Sequence, residues 1–218
     1  MTLRHVYCFG DSIAYGEWDE QGGWVQRLRS FADQAFISGR GDKTLTYNLG
    51  VPGDTAEDML KRIEGEMAAR FDPEVETLII FAVGMNDAHY NTAEKKYFCE
   101  PQQFEANMGR LLGIARKYTR KIAVVGLNPI DQRKVDPLPW NVEKAYHSDR
   151  VKLMNSVVEK IAGEENLFFA DIWKNWVQLD YRALLYDGLH PNASGHRRIA
   201  ERVSAFLTTT QDVKAGHA

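Results

Sequence analysis

Cysteine is scarce. Cys8 and Cys99 are the only two in 218 residues, and neither belongs to a CxxC pair or a Cys/His zinc spacing. A disulfide-stapled scaffold and a zinc-ribbon site are therefore excluded. An excess of one charge is lacking too: 27 Lys and Arg face 30 Asp and Glu, a formal net charge of -3. That balance does not build the positive face that duplex nucleic acid requires, so no nucleic-acid partner is expected. The most basic stretch (Arg116, Lys117, Arg120, Lys121) follows an amphipathic run and reads as the cationic end of a helix. No apolar run approaches the roughly 20 residues that span a bilayer. Residues 1–5 lead almost directly into a strand-like segment, without the charged region, apolar stretch and small-residue cleavage site of a secretory leader. With the unpaired cysteines, this gives the expectation of a cytoplasmic protein. The phosphate signatures GxxxxGK[ST] and, after the first strand, GxGxxG are missing. No metal-ligand motif occurs, so neither a metal nor a cofactor is expected.

What the chain does contain is ordinary globular material, 44% hydrophobic and 26% charged. It suffices for one core. We expect a single domain over residues 1–209 and a frayed tail over 210–218. Five short runs rich in β-branched and aromatic residues cover 5–9, 45–49, 77–83, 121–127 and 166–170. Stretches of helical periodicity separate and follow them, over 23–35, 55–70, 101–118, 143–162 and 195–207. Near-continuously apolar strands alternating with helices predict an α/β fold whose parallel sheet is covered on both faces. Thr55 and Asp58 are spaced as a capping box. The longest irregular connection, 128–141, carries Pro129, Pro137 and Pro139.

In a parallel α/β sheet the ligand crevice lies beyond the carboxyl ends of the strands. The residues after each apolar run are therefore informative. They are Gly10-Asp11-Ser12, then Asn48 to Thr55 with Gly50 and Gly53, then Gly84-Met85-Asn86-Asp87, and, after the fifth run and a short intervening segment, Asp187-Gly188-Leu189-His190-Pro191. A serine at a strand–helix junction presents a hydroxyl beside backbone N–H groups. His190 would remove its proton, and Asp187, three residues earlier, would hold the other ring nitrogen. The Ser12 N–H, the Gly50 N–H and the Asn86 amide would face the developing oxyanion.

These four blocks, in this order and spanning residues 10–191, resemble the SGNH-hydrolase (GDSL-type esterase/lipase) family, with Ile13 where the name motif has Leu. The resemblance implies a flavodoxin-like three-layer α/β/α sandwich with a five-stranded parallel sheet. It also implies ester hydrolysis, with Ser12 as nucleophile, Gly50 and Asn86 as oxyanion-hole donors, and Asp187 and His190 completing a triad. The substrate expected is a small ester with a short acyl chain. The competing readings are an acyltransferase or thioesterase on the same site, and a non-catalytic flavodoxin-like binding module.

Plainer roles exist for each residue. Ser12 alone would be a helix N-cap. Asp11 reads as a turn residue and Asp87 as part of an Asx-turn. Gly50 and Gly53 alone would be turn glycines. His89 is the one rival base, His196 a helix residue, and Cys8 an inert core thiol. Arg133, Lys134 and Trp140, with Tyr15 and Trp18, are candidates for the pocket wall. The motifs are silent on oligomeric state.

Overall fold

The computed structural model describes residues 3–215, with side chains through residue 208. All five expected strands form: β1 (Leu3–Gly10), β2 (Lys43–Gly50), β3 (Glu76–Ala82), β6 (Ile122–Val125) and β8 (Phe168–Ala170). They make one parallel sheet in the order β2-β1-β3-β6-β8. The strands between, β4 (Tyr90–Asn91), β5 (Lys96–Tyr97) and β7 (Lys144–Ala145), form a separate antiparallel sheet in the order β5-β4-β7. This small sheet was not anticipated.

Alternation along the central strands sends side chains to opposite faces. Tyr7, Phe9, Ile79 and Phe81 join one core, Val6, Cys8, Leu78 and Ile80 the other. Helices α3 (Ala56–Ala68), α4 (Pro101–Ala115) and α6 (Ser148–Glu164) cover the first face through Met59, Ile63, Phe104, Met108 and Met154. Helices α2 (Gly23–Ile37) and α8 (Ala193–Ala215) cover the second through Trp24, Leu28, Ile199 and Val203. Each large apolar side chain fully removed from water contributes about 1.5–3 kcal/mol, so both layers are needed to hold the sheet. The result is the expected three-layer α/β/α sandwich. Helix α8 runs into the stretch 210–218 expected as a tail. Side chains from residue 209 and all residues from 216 lie outside the described residues.

Local chemistry sets the helix starts. Thr55 accepts from Asp58 N while Asp58 accepts from Thr55 N, so the expected capping box is present. Pro101 opens α4, where a missing N–H costs nothing. Asp11, not Ser12, caps the short helix α1 (Ser12–Tyr15), its carboxylate accepting from Ile13 N at 2.9 Å. Ser12 is thereby left as the first helical residue, at the carboxyl end of the central strand.

Candidate active site

Ser12 Oγ lies 2.9 Å from His190 Nε2, and His190 Nδ1 lies 2.7 Å from Asp187 Oδ2. A carboxylate only accepts, so Nδ1 carries the ring hydrogen and neutral His190 offers its Nε2 lone pair to the Ser12 hydroxyl. The other carboxylate oxygen of Asp187 accepts from Leu189 N at 2.9 Å and His190 N at 2.8 Å. Burial favours a protonated Asp187, but the hydrogen bond and charge of His190 outweigh it and lower the acid below its ordinary range. Burial likewise opposes charge on His190. The Asp187 bond and charge, with smaller contributions from Glu17 and Asp11, reverse that and raise the imidazole.

Ser12 and His190 open onto a cleft. Its walls include Asn86, Tyr146, Trp140, Leu138, Lys144 and Glu17. Asn86 Nδ2 donates to Asp54 O at 3.1 Å, and Tyr146 Oη donates to Asn86 Oδ1 at 3.2 Å. A backbone carbonyl accepts only, which fixes which end of the amide is nitrogen. One of the two amide hydrogens is engaged by Asp54 O, and the other remains for a ligand.

The structure does not bring the Gly50 N–H to this cleft. It donates to Asn48 Oδ1 at 3.0 Å, and the next N–H, that of Val51, bonds Gly10 O at 3.0 Å and prolongs the strand ladder. Gly50 is glycine for another reason: a Cβ there would lie 2.3 Å from Tyr15 N, against α1. Its expected place as an oxyanion donor is corrected on this ground. Gly53 lines the cleft instead, with φ 87° and an N–H that bonds no acceptor among the described residues.

Other expectations resolve as follows. Asp87 makes no Asx-turn. Both of its oxygens accept from Ala56 N, at 3.1 and 3.2 Å, at the start of α3. Burial pushes its carboxyl up to about 7 and that of Asp11 up to about 6. His89, the rival base, donates Nδ1–H to Asn86 O at 2.7 Å and stacks on Phe98, away from Ser12. Of the suggested wall residues only Trp140 lines the cleft, its ring 6.0 Å from that of His190. Arg133 pairs with Asp131, and Trp18 stacks on Tyr186. Tyr146 and Glu17 belong to none of the motifs, and their places in the cleft come from the fold alone. No helix among the described residues is long and apolar enough to cross a membrane.

The comparisons with known proteins bear on the family and the fold. The model of the GDSL-like lipase/acylhydrolase family matches residues 8–198. No curated protein matches the chain. A lipase/acylhydrolase from Enterococcus faecalis shares 22% identity at a TM-score of 0.77, covering 95% of this chain and 96% of that one. A member of the lipolytic G-D-S-L family from Veillonella parvula shares 19% at 0.71, covering 95% and 99%. An acetylxylan esterase from Geobacillus stearothermophilus shares 19% at 0.71, covering 94% of each chain. At these identities the likeness shows a common fold. Together they define an α/β-sandwich enzyme, a carboxylic ester hydrolase. The chain belongs to the GDSL-like lipase/acylhydrolase family.

Proposed function

We propose that this enzyme hydrolyses short-chain carboxylic esters through a covalent acyl-enzyme on Ser12. The observation that carries the reading is the unbroken hydrogen-bonded series Ser12–His190–Asp187 at the mouth of an open cleft. Ser12 Oγ attacks the ester carbonyl carbon as its proton passes to His190 Nε2. The carbonyl π electrons move onto oxygen. They return as the alkoxide leaves, taking the proton from Nε2. Water repeats the sequence and releases the carboxylic acid, restoring Ser12. Asp187 holds the imidazole in the tautomer this requires and stabilises the imidazolium.

The oxyanion would be met by the Ser12 N–H, the remaining Asn86 amide hydrogen and the Gly53 N–H, which replaces Gly50 in the assignment. Preference for a short acyl group follows from the cleft. Its lining combines Trp140, Leu138 and Tyr146 with the polar Glu17, Lys144 and Asn141, a composition that offers little to a long apolar chain. Each buried CH₂ would contribute about 0.8 kcal/mol only along an apolar wall. The likeness to an acetylxylan esterase supports an acetyl or similarly small acyl group.

Two measurements test the proposal. A fluorophosphonate probe should label the wild type and not Ser12→Ala. A folded wild type that does not label would remove the nucleophile. Across p-nitrophenyl esters, kcat/KM should be highest between acetyl and butyryl. A steady rise from four carbons to twelve would overturn the short-chain assignment.

A further inference from the structure

His190 has a second carboxylate beside it. Glu17 Oε2 lies 3.3 Å from His190 Nε2, the nitrogen that faces Ser12 Oγ at 2.9 Å. The imidazole is thus flanked at both nitrogens, by Asp187 at 2.7 Å on Nδ1 and Glu17 on Nε2. No sequence block of the resemblance includes Glu17.

Its position is fixed rather than incidental. Glu17 N donates to Ser12 O at 3.1 Å. Glu17 O lies 3.1 Å from His196 Nε2, while His196 Nδ1 accepts from Trp24 N at 3.3 Å. Because Trp24 N can only donate, His196 Nδ1 has no hydrogen, and its Nε2–H points at Glu17 O. His196 is fully buried, and burial lowers its pKa, which keeps this neutral tautomer. Two residues on, Asp19 forms a buried two-point pair with Arg27 at 2.8 and 3.0 Å and accepts from Gln21 N and Gly23 N. The loop between α1 and α2 is therefore anchored on both sides of Glu17. Trp18, within it, has a φ of 63°, a conformation that a residue with a Cβ keeps only where its surroundings enforce it.

We propose that Glu17 is a positioning residue that stabilises the imidazolium form of His190 and so sets the pH at which Ser12 is activated. This rests on the reading of His190 as the base for Ser12. With His190 neutral, the Glu17 carboxylate faces the Nε2 lone pair, a repulsive arrangement. Once Nε2 holds a proton, whether from bulk water or from Ser12, the same carboxylate faces an N–H. Glu17 therefore makes His190 a stronger base, which aids the attack step and also keeps the resting enzyme protonated to higher pH. The other charged or titratable groups around the imidazole are Asp187 on its own loop, Asp11 before α1, Lys144 of β7 in the cleft and His196 of α8.

Glu17→Gln keeps the size of the side chain and removes its charge. The acid limb of kcat/KM on p-nitrophenyl acetate should move to lower pH by about one pH unit, as for loss of an opposite charge at this distance. The plateau should fall by less than about tenfold, because a weaker base transfers the proton less readily. The two profiles then cross, the variant being faster on the acid side and slower on the plateau. Damage to folding would lower both. Glu17→Asp should keep the limb near its wild-type position. The rate of fluorophosphonate labelling against pH gives the same limb without turnover. A wild type that does not label would defeat the Ser12 reading itself. A wild type that labels, with a Glu17→Gln limb superimposed on its own, would defeat the role of Glu17 alone.

Discussion

Asn86 shows how little freedom a side chain has at this cleft. Tyr146 holds its oxygen and Asp54 O one amide hydrogen, so the second amide hydrogen has a fixed direction. Fixed donors stabilise developing charge without reorganising during the reaction. Asn86→Ala should therefore lower kcat by roughly 10²–10³, about 2.7–4 kcal/mol, with a smaller change in KM. An unchanged kcat would take Asn86 out of the oxyanion hole. Ser12 and Asn86 are legible because each follows an apolar run almost at once, and Asp187 and His190 because their three-residue spacing stands out beyond the last strand; the structure brings all four side chains together. Gly50 was not read correctly. Two glycines stand three apart in one block, and only the ladder bond from Val51 N to Gly10 O decides which of them reaches the cleft. Tyr146 and Glu17 come from segments without any motif, so spacing alone does not point to them.

At the scale of elements, apolar strands and amphipathic helices were legible because burial on two faces leaves a strong pattern. All five strands, and the starts of all five long helices, lie within five residues of their expected places, while α8 runs on to Ala215, past its expected end at residue 207. The small sheet was hidden because strands of two residues show no periodicity. It also shifts one boundary: the helix expected from residue 143 starts at Ser148, since Lys144 and Ala145 pair with β4. The connection 128–141 reads as irregular but buries Ile130, Val135 and Leu138. The capping box at α3 was legible, and its loss is measurable. Thr55→Ala should cost about 1 kcal/mol, a fall in Tm of about 2–4 °C for a chain of this size. No change in Tm would mean that the Asp87 contact at Ala56 N suffices to start the helix.

For the whole molecule, acids whose pKa the fold shifts make stability depend on pH in two opposed ways. Asp187, Asp19, Asp58 and Glu76 are lowered in the fold, so their contribution is present above the ordinary carboxylate range and lost as pH falls. Asp11 and Asp87 are raised to about 6 and about 7, above their unfolded values. Their contribution is complete below the unfolded value near 3.9 and is lost as pH rises through about 6–7. Asp87→Asn keeps an acceptor for Ala56 N and cannot ionise. Its Tm, measured against wild type, should improve steadily between about pH 4 and pH 8. A difference constant across that range would show that Asp87 does not titrate between the two states.

Ser12 and His190 stand 178 positions apart and meet only across the finished sheet. During synthesis the proposed nucleophile leaves the ribosome early, whereas its proposed base follows after almost the whole chain. At translation rates of about 5–20 residues per second the interval is roughly 9–36 s. Throughout it the serine stays un-ionised beside an incomplete sheet, without the imidazole that would activate it. On the proposed mechanism, a chain that ends before His190 is silent toward esters, and esterase activity serves as a reporter that the last strand–helix unit has docked.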